Sequence, residues 1–249
     1  MKEGLVIIPT FNEKENIENV IRAVFALNTI FDVLVVEDNS PDGTAAIVKR
    51  LIKEFPERLN ILERKEKQGL GTAYIAGFKW ALQRHYSYIF EMDADFSHNP
   101  TDLERLFSCL YDKRADVVIG SRYITGVNVV NWPMGRVLMS YYASAYVRMI
   151  TGMDIRDTTA GFVGWTRKVL ETIDLDKVKF VGYAFQIEMK FTAIRLGFKV
   201  VEIPIIFTER TLGESKMNKS IFREAVFGVI DLRKRGIMGK IKPRKQPEL

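Results

Sequence analysis

The signatures of several common protein classes are missing from this sequence. A single cysteine, Cys109, excludes an internal disulfide and favours a reducing compartment. No uncharged run reaches the roughly 18 residues that a spanning helix needs, so we expect no segment to cross a bilayer. The chain has neither the Gly-x-Gly-x-x-Gly turn of dinucleotide-binding proteins nor a Walker lysine loop. An ordinary Rossmann dehydrogenase and a P-loop nucleotide hydrolase are therefore excluded.

The apolar residues that are present predict a single α/β domain. The chain has 249 residues, 47% of them hydrophobic, which is enough for a full core. Short continuous apolar runs, typical of strands buried on both faces, alternate with helical patterns. The predicted strands lie at 5–8, 33–36, 59–62, 88–92, 116–119 and 199–203, with one more ending at Trp165. We predict a right-handed, doubly wound, mostly parallel central sheet flanked by helices.

We divide the chain into a catalytic domain over residues 1–232 and a basic tail over 233–249. The first strand begins almost at the first residue, so we expect no secretion leader. Residues 223–249 hold eight lysines and arginines against three acids, a net charge of +5 out of the chain's +6. Such a pattern is typical of a segment that binds an anionic surface, but also of a solvated end. No interleaving of aromatic and basic residues supports nucleic acid, so we expect none to bind.

Acidic residues follow three of the predicted strands. They are Glu13, the pair Glu37 and Asp38, and the pair Asp93 and Asp95. Ligands of open α/β sheets bind beyond the carboxyl ends of the strands, so these acids are expected at one edge. A site built from acids at strand ends suits a metal-bridged diphosphate.

The pair Asp93 and Asp95 flanks Ala94 at the end of the fourth strand. If the pleat continues through Ala94, both carboxylates share a face and repel each other unless a hard cation binds. Mg²⁺ or Mn²⁺ prefers such oxygen ligands and is commonly shared with a substrate diphosphate. Taken alone, the pattern also fits a turn in which Asp95 or Ser97 caps the next helix.

A long loop and an almost uncharged helix follow the strand-end residue Arg122. The loop over 124–135 has the length of a lid or a binding loop. The predicted helix over 136–150 is apolar nearly all round, which indicates either core burial or contact with lipid. Arg122 and Arg136 bracket the loop.

Seven motifs, in one order, resemble a known family. They are Pro-Thr-Phe-Asn-Glu (9–13), Glu-Asp-Asn-Ser-Pro-Asp-Gly-Thr (37–44), Gly-Leu-Gly-Thr-Ala-Tyr (69–74), Asp-Ala-Asp-Phe-Ser-His (93–98), Gly-Ser-Arg-Tyr (120–123), Phe-Gln-Ile-Glu-Met (185–189) and Gly-Glu-Ser-Lys (213–216). The set resembles the polyprenol-phosphate mannosyltransferases, or dolichol-phosphate mannose synthases, of the inverting nucleotide-sugar glycosyltransferases. The resemblance spans residues 4 to about 230 and fits the short type without spanning helices.

The resemblance implies a single nucleotide-diphospho-sugar transferase domain and a set of site residues. It implies Mg²⁺ or Mn²⁺ on Asp93 and Asp95, and catalytic roles for Asp95, Arg122 and Arg136, the two arginines approaching the acceptor phosphate. The donor GDP-mannose would be bound by Pro9, Phe11, Glu13, Val36, Asp38, Asp93, Ala94, Asp95, Arg122, Arg210 and Lys216. Arg210 and Lys216 would close over the diphosphate, although each could instead be a solvated surface residue. Ser97 stands where some relatives have Gln, which leaves a third protein ligand to the metal open.

The activity implied is inverting transfer of mannose from GDP-mannose to a polyprenyl phosphate. We expect a peripheral enzyme on the cytoplasmic face of a membrane, held by the lipid surface or by a membrane-anchoring partner protein. Alternatives are the transfer of glucose or another sugar to a polyprenyl phosphate or a glycan, and a non-catalytic subunit that binds nucleotide sugar or membrane. A phosphomonoester acceptor needs no general base, because its second pKa is near ~6. We therefore expect Glu188, the obvious rival base, to position the donor sugar or a neighbouring cation.

Overall fold

A computed structural model describes residues 3–182, 184–209 and 219–244, with the backbone alone for residues 219–227. The strands in this part of the chain are β1 (Gly4–Thr10), β2 (Phe31–Glu37), β3 (Leu59–Glu63), β4 (Tyr88–Glu91), β5 (Val117–Ser121), β6 (Val129–Val130), β7 (Val163–Thr166), β8 (Val200–Pro204) and β9 (Phe207–Thr208). The α-helices are α1 (Ile17–Phe25), α2 (Thr44–Glu54), α3 (Leu70–Leu82), α4 (Asp102–Tyr111), α5 (Met134–Thr151), α6 (Arg167–Thr172), α7 (Ala184–Arg195) and α8 (Lys219–Ile237).

Seven of the strands form one sheet in the order β3-β2-β1-β4-β7-β5-β8. The pairs β3-β2, β2-β1, β1-β4 and β5-β8 are parallel. The strand β7 lies antiparallel between β4 and β5. The predicted, mostly parallel sheet flanked by helices is thus confirmed, and β7 is the exception. The sequence predicted a strand here but not its direction. The direction depends on the path that the chain takes between β5 and β7.

Helices cover both faces of this sheet, as a doubly wound fold requires. Alternate residues of β1 show the two layers: Leu5 and Ile7 pack with α3, α6 and α7, while Val6 and Ile8 pack with α1, α2 and α4. All four side chains are fully buried. The helix α8 packs beside α5 and α7 and extends the first of these layers.

Two short strands lie outside the predicted ones, and one of them, β6, lies inside the predicted loop 124–135. The strands β6 and β9 pair with each other in parallel and form a small second sheet. His98 forms an isolated bridge to Phe207, so β9 lies beside the Asp-Ala-Asp-Phe-Ser-His segment. The predicted loop 124–135 is therefore ordered against the sheet edge that carries the acids.

The described part of the predicted tail, residues 233–244, contacts the rest of the domain. The helix α8 continues to Ile237, five residues beyond the proposed boundary at 232. Arg233 donates from Nη1 to the carbonyl of Thr151 at 3.1 Å, and the amide of Arg244 donates to the carbonyl of Thr172 at 2.7 Å. In the described ranges, none of the helices is both long and apolar enough to span a bilayer.

Candidate active site

The metal motif lies on a bend beyond β4. The strand ends at Glu91, and residues 94–97 form a bend with Phe96 at φ +59°, an unusual backbone angle for a non-glycine residue. Strand alternation therefore does not place the two aspartates. The Asp95 carboxylate is buried and accepts from the amide and hydroxyl of Ser97 at 3.0 and 2.5 Å, whereas the Asp93 side chain is 36% exposed. Ser97 thus orients Asp95 within the bend, and neither residue caps the helix α4, whose N-cap is Thr101.

Three carboxylates converge close to this bend. Burial first, and then the charges of Asp93, Glu91 and Asp95, raise the pKa of the buried Tyr74 hydroxyl well above its usual range. In the described residues, no group of three or more His, Cys, Asp or Glu side chains is arranged to hold a metal. The two aspartates nevertheless offer the hard oxygen atoms that Mg²⁺ and Mn²⁺ prefer, with substrate oxygens and water as the remaining ligands. The donor set thus fits a divalent cation shared with a diphosphate.

His98 was not singled out from the sequence, although it ends the same motif. Its ring is buried, stacks on Phe162 with centroids 4.9 Å apart and meets Phe207 edge-on at 5.4 Å. Its Nδ1 accepts from the amide of Asp93 at 3.4 Å. Burial lowers the pKa of His98 to about 4, so the ring is neutral at physiological pH. A neutral imidazole here accepts the bond from Asp93 and adds no positive charge that would repel a cation at the two aspartates.

The predicted nucleoside residues gather at the ends of β1 and β2. Asp38 is bound by Arg64, whose Nε and Nη2 donate to its two oxygens at 2.6 and 2.9 Å. Arg64 also donates from Nη1 to the hydroxyl of Thr72 at 2.9 Å. The sequence reasoning missed Arg64, although it directly follows β3, where a strand-end residue is expected at the same edge.

The other two acids of this edge, Glu37 and Glu13, form hydrogen bonds within the loops that follow β2 and β1. Glu37 accepts from the amides of Asn39 and Ser40 at 2.9 and 2.8 Å, so its carboxylate shapes the turn. Glu13 is buried, and its amide donates to the hydroxyl of Thr44 at 3.0 Å, which joins the two loops. Both acids therefore help to build the edge on which Asp38 lies.

The apolar residues that were predicted to contact the nucleotide sugar also lie at the ends of β1 and β2. The ring of Phe11 lies 4.4 Å from the Lys67 ammonium. Pro9 pairs in register with Val36, and the Val36 side chain is fully buried, so only its backbone can face a ligand.

Arg122 lies on the predicted acceptor side and is held by Asp157. Its Nε and Nη2 donate to the two oxygens of Asp157 at 2.7 and 2.6 Å, and Nη2 also reaches the hydroxyl of Thr159 at 2.9 Å. Burial acts to raise the pKa of Asp157, but the charge and hydrogen bonds of Arg122 outweigh it and hold that pKa below its usual value. Asp157 opens the segment Asp-Thr-Thr-Ala-Gly-Phe, to which the sequence reasoning gave no role.

Arg136 meets Arg122 across a tryptophan. The Arg136 guanidinium lies 4.3 Å from the centre of the Trp132 ring, and that of Arg122 lies 5.6 Å from it. Arg136 also forms an ion pair with Glu209, just beyond β9. The amide of Thr208 donates to the carbonyl of Ser97 at 3.2 Å, so this acceptor side adjoins the metal motif.

The buried Lys190 and the partly buried Glu202 hold the Asp157 segment in place. Glu202 accepts from the amides of Arg156 and Asp157 at 2.7 and 2.9 Å. Lys190 donates to the carbonyls of Thr158 and Ala160 at 3.1 and 2.5 Å. Burial, partly opposed by nearby acids, lowers the pKa of Lys190 to about 8. Side chains thereby bind both the backbone N–H groups and the backbone carbonyl groups of the segment.

Glu188 does not face the metal motif through any contact described. Its Oε2 accepts from the amides of Lys179 and Phe180 at 2.9 and 3.0 Å, and its Oε1 lies 2.8 Å from Nη2 of Arg235. It thus neighbours a cation, which is one of the two roles expected for it. Arg210 and Lys216 lie outside the described residues.

Comparisons with known proteins agree with this geometry. The model of the Glycosyl transferase family 2 matches residues 5–174. A polyprenol monophosphomannose synthase of Mycolicibacterium smegmatis is 48% identical over 237 residues, covering 95% of this chain and 88% of that protein. An undecaprenyl-phosphate mannosyltransferase of Micrococcus luteus is 45% identical over 225 residues, covering 90% of this chain and 91% of that protein.

A solved structure shows the same fold at much lower identity. It is glucosyl-3-phosphoglycerate synthase of Mycobacterium tuberculosis in complex with Mn²⁺, uridine-diphosphate-glucose and phosphoglyceric acid. The two structures superpose with a TM-score of 0.66 at 18% identity, covering 93% of this chain and 79% of that chain. With a family model matching most of the chain and relatives at 45–48% identity along nearly all of it, this chain belongs to glycosyl transferase family 2, as its motifs predicted.

Proposed function

We propose that this glycosyltransferase transfers mannose from GDP-mannose to a polyprenyl phosphate, with inversion at the anomeric carbon. The observation that carries the proposal is the meeting of Arg122 and Arg136 on Trp132, beside the metal motif. Two guanidiniums suit a phosphate dianion, because each carries five N–H donors, more than one carboxylate partner can accept. The names of the curated relatives supply mannose and the polyprenyl phosphate.

Trp132 adds a further reason to expect an anion at this place. Its indole Nε1 is buried and has no hydrogen-bond partner within the described part of the chain. A buried donor without a partner costs about 1–3 kcal/mol, which an acceptor oxygen would recover. A phosphate group would satisfy this donor together with the two arginines.

The donor would lie across the carboxyl ends of β1, β2 and β4. Asp38 and Arg64 together present acceptor and donor atoms to a nucleobase, and Phe11 offers a ring face. Asp93 and Asp95 would hold Mg²⁺ or Mn²⁺ against the diphosphate, where the bound cation neutralises charge on the departing GDP. Arg210 and Lys216 are proposed to close over the same diphosphate.

The proposed reaction needs no general base from the protein. An anionic oxygen of the acceptor phosphate attacks the anomeric carbon, the bond from that carbon to the diphosphate oxygen breaks, and GDP leaves with the electron pair. The acceptor is already ionised at neutral pH, so Arg122 and Arg136 need only align it. Glu188 is buried and bound to two amides and Arg235, which supports a mechanism without a carboxylate base.

The acceptor's lipid tail suggests that the enzyme works at a membrane surface. The helix α5 has no acidic residue and exposes apolar side chains at four- and seven-residue spacing, which places them on one face. They are Met134, Leu138, Tyr142 and Met149, with Met134 and Met149 at least 70% exposed. This face starts at Met134, in the same first turn of α5 as Arg136, so a membrane on it would bring a lipid phosphate near the acceptor site.

A transfer assay tests the proposal directly. Purified protein would be incubated with detergent-solubilised polyprenyl phosphate and GDP-mannose, UDP-glucose or GDP-glucose, with Mg²⁺, Mn²⁺ or a chelator. We expect a mannosylated lipid and GDP only with GDP-mannose and a divalent metal. Transfer from UDP-glucose would establish a glucosyl donor instead. Unchanged turnover after chelation would remove the metal from the proposal.

A further inference from the structure

The segment between residues 178 and 182 packs against the turn that begins α3. The amide of Gly71 donates to the carbonyl of Val181 at 2.8 Å. A Cβ atom added at Gly69 would lie 2.9 Å from the carbonyl oxygen of Val181, and one at Gly71 would lie 2.9 Å from that of Phe180. Gly69 also has φ +102°, which favours glycine. The two backbones therefore touch, and a shift of one must move the other.

The same glycine turn is bonded to the nucleoside residues. The hydroxyl of Thr72 donates to the carbonyl of Gly69 at 2.8 Å and accepts from Arg64 at 2.9 Å. Arg64 in turn grips Asp38 through two hydrogen bonds. The position of the turn consequently sets the position of the Asp38–Arg64 pair.

Glu188 and the helix α8 hold segment 178–182 from the other side. Glu188 binds the amides of Lys179 and Phe180 with one oxygen, while its other oxygen lies 2.8 Å from Arg235 on α8. The Phe180 ring rests on Gly228 of α8, where an added Cβ would come within 2.5 Å of it. Among the described side chains, α8 thus contacts the segment directly at the Phe180 ring and indirectly through the ion pair between Arg235 and Glu188.

We propose that Glu188 is a positioning residue for the nucleoside site, and that Arg235 and Phe180 let helix α8 set the shape of that site through segment 178–182. This inference rests on the proposed function, in which Asp38 and Arg64 contact the nucleoside. A buried carboxylate that bridges two amides and a cation holds its neighbours only while all three contacts persist.

Two pairs of variants on α8 test the link. Arg235→Met removes the cation that faces Glu188, and Arg233→Met removes a cation two residues away that binds the end of α5. Gly228→Ala presses on Phe180, and Gly236→Ala presses on Phe191 of α7, which lies outside the segment. Glu188→Gln keeps the shape of the side chain but not its charge. The first member of each pair, and Glu188→Gln, should act on the nucleoside site, whereas the two controls should not.

Two measurements are made on each variant. Calorimetric titration with GDP and Mn²⁺ should show a dissociation constant raised at least fivefold by Glu188→Gln, Arg235→Met and Gly228→Ala, and changed less than twofold by the controls. Amide hydrogen exchange of peptides covering residues 64–74 should be faster in the same three variants. The KM for the lipid acceptor should stay within twofold, and Arg235→Lys should restore most of the GDP affinity.

The outcomes separate this inference from the proposed function. Exchange and GDP affinity that match the wild type in all three variants would overturn it, as would equal effects of Arg233→Met and Arg235→Met. Faster exchange with unchanged nucleotide affinity would also overturn it, because the turn would then be linked but not to binding. If the wild type bound UDP rather than GDP, the proposed donor would fail, and the same comparison with UDP would decide the link.

Discussion

On the proposed nucleoside side of the molecule, the four neighbouring parallel strands β3, β2, β1 and β4 each deliver a polar residue to one edge within three residues of the strand end. These residues are Arg64, Asp38, Glu13 and Asp93. On the acceptor side, the cations come from the end of β5 and the first turn of α5, and each is held by an acid on a segment distant in sequence. Asp157 is 35 residues from Arg122, and Glu209 is 73 residues from Arg136. The first side is therefore organised by strand position, the second by ion pairs between remote segments.

The difference shows in how each side tolerates the loss of a partner. The Asp93 side chain is 36% exposed, so a change there meets solvent. Asp157 is fully buried, and removing Arg122 would leave its charge unpaired, which typically costs about 3–5 kcal/mol. Substitution of Asp93 should thus report on chemistry, whereas substitution of Arg122 also reports on folding.

The sharpest test of the nucleoside side is Asp95→Asn. We expect metal-supported turnover to fall on the order of a hundredfold or more, because one anionic oxygen donor is replaced by a neutral amide at the site of developing charge. The fold should persist, since asparagine can still accept the bonds from Ser97. Turnover is measured at controlled free Mn²⁺, with Asp102→Asn at the start of α4 as a control. Near-normal activity of the Asp95→Asn enzyme would show that the metal assignment is wrong.

On the acceptor side, Arg136→Ala is more informative than Arg122→Ala. The Arg136 side chain is 28% exposed and its partner Glu209 is 23% exposed, so the variant should fold. We expect kcat/KM for the lipid acceptor to fall about 10- to 100-fold, the range for one lost charged hydrogen bond, with little change in GDP affinity. Arg122→Lys, which keeps a charge beside Asp157, should lower the same parameter. A loss of GDP affinity as large as the loss of acceptor use would contradict this division of roles.

The same contrast explains what could be predicted from the sequence. The strands β1–β4 and their terminal acids follow from continuous apolar runs and the rule that ligands bind beyond the carboxyl ends of strands. Even Arg64, which was missed, follows such a run. Asp157 and Glu202 give no local signal, because their role exists only once β5, β7 and β8 have assembled. The bend at Phe96 was also missed, since a strand pattern does not indicate where its pleat stops.

The pH dependence of stability tests the burial of Lys190, which binds the segment that holds Arg122. Lys190 has its pKa lowered from 10.5 to about 8, so between these values the unfolded chain binds more protons than the native protein. Stability relative to Lys190→Met should therefore rise with pH from about 8 to 10.5, by at most about 1.4 kcal/mol per pH unit, and be level below 8. Urea unfolding at pH 7, 8, 9 and 10 measures it. A flat difference over this range would mean that Lys190 is not strained by burial.

The smallest effect is expected where neither strand position nor ion pairing organises the chain, at the exposed lysines near its end. Arg233 and Arg235 contact the protein through Thr151 and Glu188, so deleting the whole basic stretch would confuse membrane binding with folding. Lys240→Gln with Lys242→Gln avoids this, because both lysines are exposed. Each lysine contributes up to about 1 kcal/mol near anionic lipid. We expect binding to phosphatidylserine vesicles to weaken several-fold at low salt and less at 0.15 M, where screening is stronger, with turnover in detergent unchanged. Met149→Gln on α5 should weaken binding at both salt concentrations. Vesicle binding that none of these changes affects would contradict a role for these residues, and no vesicle binding by the wild type would favour attachment through a membrane-anchoring partner protein.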